Sequence, residues 1–144
     1  MTAPDTPQTQ LPALPALADF PFPTALVVTG APAPDDGVLY ESGDVDEIFP
    51  FASVTKPIVA WSALVAVDRG LLDLDAPAGA PAPDGATIGH LLSHSSGIAA
   101  DSDERLATPG TRRIYSNRGI EILGERLQEA TGTPLETWVE STVL

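Results

Sequence analysis

Lys56 is the single lysine among 144 residues, and it stands three positions after Ser53. A serine hydroxyl is a weak nucleophile until a base removes its proton. An amine three residues further along a helix lies on the same face and can reach that hydroxyl. Burial disfavours an ammonium and lowers its pKa. The positive end of a helix acts in the same direction and favours an oxyanion beside Ser53. The pair therefore suggests acyl transfer to a serine. With nine serines in the chain, the spacing would arise by chance about one time in sixteen, so alone it is a weak motif. Its surroundings add weight. Pro57 to Val67 carry no charge, and a helix without a polar face is expected to be buried on all sides.

A second cluster, Tyr115, Ser116 and Asn117, falls where a loop meets a helical pattern. A phenol shuttles protons when a cation lowers its pKa, and Lys56 is the available cation. An asparagine amide can hold a substrate carbonyl. The plainer alternative is a buried tyrosine with Asn117 as an ordinary helix N-cap. His94, in His-Ser-Ser-Gly, reads as a residue of a packed turn rather than a catalytic one.

The elements that must position these groups follow in order. Residues 1–23 carry Pro4, Pro7, Pro12, Pro15, Pro21 and Pro23, a spacing that resists helix and sheet alike. Leu11, Leu14 and Leu17 allow one short docking helix there, and the first ten residues are expected to be mobile. Thr24–Thr29 is β-branched and apolar, and Val38–Glu41 can return as its hairpin partner. The central helix should stop near Gly70, with Arg69 in its last turn. Thr87 suits the N-cap of a short helix. Ile120, Leu123, Leu127 and Ala130 mark a helix over 117–131, closed by Gly132. Thr133, Pro134 and Glu136 then suggest a capping box for a last helix. No strand pattern follows residue 48, although a lone hairpin is marginal.

Composition excludes several classes. A net charge of −13, from 20 acidic against 7 basic residues, argues against nucleic acid or an anionic membrane as partner. There is no cysteine, and two histidines are poor material for a metal site. No cofactor is implied. The start, MTAPDTPQTQ, has neither a basic n-region nor a long apolar core. No run reaches membrane-spanning length, and a cytoplasmic protein is expected.

Taken together, the pieces resemble the serine β-lactamase-related family of class C β-lactamases, DD-peptidases and related esterases. Ser-Val-Thr-Lys at 53–56 is similar to its Ser-x-x-Lys motif, and Tyr-Ser-Asn at 115–117 to its Tyr-x-Asn motif. LLDLDAP at 71–77, TIGHLLSHSSGI at 87–98 and PGTRRIYSNRGIEILGERLQEATG at 109–132 are similar to the segments between and after them. The resemblance covers about residues 24–144. It implies an α+β fold, an antiparallel sheet packed against helices with a mainly helical subdomain. It implies Ser53 as the acylated nucleophile and Lys56 with Tyr115 as shared general base. Asn117 would hold the substrate carbonyl, and the Ser53 N–H would supply half an oxyanion hole. The substrate would be a small ester or amide: a β-lactam, a D-amino peptide or a carboxylic ester.

One departure stands out. The family's third motif, Lys-Thr-Gly or a His-x-Gly variant, lies on a later strand, and no lysine or histidine follows Asn117 here. The resemblance thus implies the N-terminal part of a longer domain, truncated or split and weakly active alone. A complementing C-terminal segment or self-association would complete it. The alternatives are a non-catalytic relative that uses the cleft for binding, or an inactive gene fragment.

Overall fold

The computed structural model describes residues 20–30 and 37–144. The expectations of a Leu11–Leu17 helix and of mobile first residues lie outside them. The chain divides between Pro50 and Phe51 into two units.

In the first unit, β1 (Ala25–Thr29) and β2 (Val38–Gly43) form an antiparallel pair. Leu26 faces Ser42 and Val28 faces Tyr40, with an irregularity between Val28 and Thr29. Side chains alternate between half-buried and exposed along both strands, the period-2 pattern of a sheet with two unlike faces. The expected hairpin is present, and β2 runs two residues further than its apolar stretch. Gly43, at φ +81°, allows the exit: a Cβ there would overlap the carbonyl oxygen of Thr24.

The second unit is helical. A 3₁₀ turn (Ala52–Val54) leads directly into α1 (Thr55–Asp68); α2 (Ile88–Leu92), α3 (Asn117–Thr131) and α4 (Leu135–Thr142) follow. α1, α3 and α4 pack on one another, and α2 packs on α3. Their shared core contains Val59, Ala63, Ala66, Ile88, Leu91, Ile98, Ile122, Leu123, Leu127 and Trp138. The Trp138 indole donates to the Ser62 carbonyl at 3.0 Å, which ties α4 to the middle of α1.

The helix ends follow local chemistry. Gly70 is left-handed, and the amides of Gly70 and Leu71 bond to Val67 and Ala66 carbonyls, so a Schellman arrangement stops α1 where expected. Thr87 caps α2 by accepting from the His90 amide. Gly132 closes α3.

Three local expectations fail. Pro134 is the N-cap of α4, so Thr133 lies one position too early for a capping box, and the Thr133 hydroxyl bonds to Thr131 instead. The Gln128 side chain accepts from the Leu135 amide at 3.2 Å, so α3 supplies the cap. Ser116, not Asn117, caps α3. Finally, α1 is not buried on all sides. Val59, Ser62, Ala63 and Ala66 form its buried stripe, while Trp61 and Leu64 are 62% and 47% exposed. Apolar content marks a helix that can be covered all round; within this unit α3 and α4 cover one side.

Among the described residues, no helix is long and apolar enough to cross a membrane, and no cluster of three or more acidic or histidine side chains is placed to hold a metal.

The loop between α2 and α3 turns at Gly97, whose φ is +85° and whose Cβ would overlap the Ala107 carbonyl oxygen. Its own carbonyl accepts from Leu106 and Ala107 amides. Gly97→Ala should therefore cost about 2 kcal/mol or more, read as a lowered midpoint in thermal circular dichroism.

Candidate active site

Ser53 belongs to the 3₁₀ turn, and Lys56 to the first turn of α1. In a 3₁₀ turn residues three apart nearly eclipse, so the altered winding keeps both on one face. The Lys56 Nζ donates to Ser53 Oγ at 3.1 Å. Ser53 is exposed and Lys56 half-buried. Ala52, immediately before the serine, has φ +46°. Left-handed backbone is uncommon for alanine and tends to cluster at functional turns.

Tyr115 arrives from the other side, on the residue before the α3 cap, Ser116, whose backbone is extended. Its ring lies under Lys56, with Nζ 4.9 Å from the centroid. The Ser53 hydroxyl, then the Lys56 ammonium, stabilise the phenolate and hold the pKa below the ordinary tyrosine value of 10. Ser53, Lys56, Tyr115 and His94 line a common cleft of about 250 Å³, walled by apolar Pro57 and Ala60.

Asn117 is not brought into that cleft. Its amide donates to Asp101 Oδ1 at 2.5 Å, so one N–H is committed and one remains. The next residue continues the same anchorage. Arg118 binds Asp103 at 2.6 Å and also Glu121 and Glu125, and these partners, Asp103 foremost, raise its pKa. The acidic loop over 99–104 is thereby pinned to the start of α3.

Two residues hold the arrangement: Ser116, named above without a role of its own, and His94, expected above as part of a packed turn. Ser116 is 1% exposed. Its hydroxyl donates to the Ala99 carbonyl at 2.6 Å and accepts from the Gly119 amide at 2.8 Å. A serine between two polar neighbours in a helix-start pattern was the available signal. His94, at φ +57°, packs its ring 4.8 Å from that of Tyr115 and accepts from the Ser116 amide at Nδ1. Burial, then the positive charges of Arg113 and Lys56, lower its pKa below 6.5.

A serine and an amine on one helical turn thus share a cleft with a phenol from the segment before α3. The family model described as Beta-lactamase matches residues 30–144, and the chain belongs to that family. It is 35% identical to the esterase EstB of Burkholderia gladioli in a match covering 68% of this chain and 36% of the esterase. A β-lactamase structure from Mycobacterium bovis aligns with a TM-score of 0.75 and 44% identity, covering 90% of this chain and 46% of that one. A penicillin-binding protein from Bacillus halodurans shares the fold, with a TM-score of 0.66, 22% identity, and coverage of 81% and 47%. The chain thus spans less than half the length of each of these relatives.

Tyr115 and Tyr40 are the only tyrosines. In a Tyr40→Phe background, phenolate absorbance should show Tyr115 ionising below 10, and Lys56→Met should move the transition upward.

Proposed function

We propose that the chain carries the acylation half of a serine hydrolase that acts on a small ester or amide. The observation that supports this best is the 3.1 Å contact of Lys56 Nζ with Ser53 Oγ, beside a phenol whose pKa is lowered. Lys56 and Tyr115 share the general-base work. The Lys56 ammonium supplies the positive charge that holds Tyr115 ionised, and the phenolate oxygen accepts the Ser53 proton. Ser53 Oγ then bonds to the substrate carbonyl carbon, the bond to the leaving alcohol or amine breaks, and the proton passes to that leaving group. Water completes the cycle by releasing the acid from Ser53. The uncommitted N–H of Asn117 is the donor for the substrate's acyl or amide carbonyl, which requires its side chain to turn partly from Asp101.

Turnover by this chain alone is weak in this reading. Ser53 is exposed and Tyr115 is 50% exposed, and electrostatic stabilisation of a transition state loses strength when water shares the site. A complementing segment or a second copy of the chain would close the cleft. The esterase relative makes a carboxylic ester the first substrate to try.

A fluorophosphonate probe should phosphonylate Ser53 once with loss of fluoride, adding the probe mass less HF, and Ser53→Ala should abolish labelling. Lys56→Met should slow labelling about 100-fold or more. Robust hydrolysis of p-nitrophenyl acetate or nitrocefin by the purified chain, lost in Ser53→Ala, would refute the weak-turnover part. Absence of labelling in the folded wild type would refute the hydrolase part and favour a binding role for the cleft.

A further inference from the structure

We infer that His94 is a positioning residue that clamps Tyr115 against Lys56 and releases it when the imidazole takes a second proton. The backbone shows the clamp. The Ile114 amide bonds to the His94 carbonyl at 2.7 Å, and the Ser116 amide bonds to His94 Nδ1 at 3.2 Å. These two bonds straddle Tyr115. The His94 ring itself lies against the phenol ring, 4.8 Å away and tilted by 39°. One residue thus holds the Tyr115 backbone on both sides and its side chain on one face.

Only the neutral imidazole can do this. To accept at Nδ1 the ring must carry its single proton on Nε2. Protonation converts Nδ1 into a donor facing an amide N–H, which breaks the clamp at Ser116. It also adds positive charge beside Arg113 and Lys56, the charged groups that face His94 from the segment before α3 and from α1. Tyr115 is the remaining titratable neighbour. The folded protein therefore keeps His94 neutral to lower pH than the unfolded chain, whose histidine titrates near 6.5. Because the unfolded state binds this proton first, stability falls as pH drops below about 6.5. It levels off once the folded-state histidine has also protonated.

The backbone offers a clean comparison. Position 94 is left-handed, a conformation that asparagine tolerates better than most residues. An asparagine Oδ1 sits where Nδ1 sits and can accept the same amide, but it cannot be protonated near neutral pH. His94→Asn should keep the clamp and lose its pH sensitivity, whereas His94→Ala loses the acceptor and the ring.

This inference rests on Tyr115 being the proton acceptor for Ser53, and the test separates the two. In the Tyr40→Phe background, phenolate absorbance is followed for His94, His94→Asn and His94→Ala, beside the rate of fluorophosphonate labelling. His94→Ala should return the Tyr115 transition toward 10 and slow labelling about 10- to 100-fold. His94→Asn should restore most of both. In the wild type, the Ser116 amide and Tyr115 ring resonances should shift together as His94 titrates, an effect that does not depend on any variant folding. A Ser116 amide indifferent to His94 protonation, or a folded His94→Ala with an unmoved phenol transition, overturns the clamp. A phenol that responds to His94 while Ser53 never labels would leave the clamp standing and sink the hydrolase reading instead.

Discussion

The contact between Lys56 Nζ and Ser53 Oγ depends on a single helical turn staying where it is. That turn has no side-chain cap of its own. It is held from behind, through the stripe Val59, Ala63 and Ala66 that α1 contributes to the core, and by the bond from Trp138 to Ser62. Val59, Ala63 and Ala66 do not line the cleft themselves, yet they fix the axis on which Ser53 and Lys56 are mounted. Arg69, stacked 5.2 Å from the Trp138 ring, adds a second tie at the far end of α1. Packing of this kind tolerates little displacement, because a close-packed interior transmits shifts rather than absorbing them.

The Tyr-Ser-Asn segment solves a different problem, that of bringing a side chain from a loop to meet one on a helix. Its middle residue carries most of the burden. Ser116 satisfies the free Gly119 amide in the first turn of α3 and at the same time fastens the loop carbonyl at Ala99. The flanking residues are then free to face outward, Tyr115 to Lys56 and Asn117 to Asp101. Burial of a serine is affordable here because its hydroxyl both donates and accepts.

Local signals were legible in the sequence. The glycines at 70 and 132, the threonine at 87 and the apolar stripe of α3 each act within a few residues of themselves, and each produced the element expected. The pairing of Ser53 with Lys56 was legible for the same reason, since one turn of helix fixes it. Signals that depend on distant partners were not. The cap of α4 comes from Gln128, seven residues before the amide it serves, and proline displaced the threonine that looked suited to the role. The roles of Ser116 and His94 arise from segments about twenty residues apart meeting in space. The exposed face of α1 shows the limit of composition: Trp61 and Leu64 announce an apolar surface but not what, if anything, lies against it.

Charge presents an apparent contradiction, because a chain of net −13 places its one lysine where an anion is wanted. Distance resolves it. Exposed charges separated by more than about 8–10 Å are largely screened at physiological salt, so the acidic excess contributes little inside the cleft. Nearby carboxylates are occupied elsewhere: Asp101 with Asn117, and Asp103, Glu121 and Glu125 with Arg118. What remains close to Tyr115 and His94 is Lys56 and, beside His94, Arg113. Burial first, and then the two cations, make the imidazole protonate less readily; the Ser53 hydroxyl first, and then Lys56, make the phenol ionise more readily. Short-range contacts, with Lys56 common to both groups, thus set the ionisation of this cleft against the sign of the whole chain.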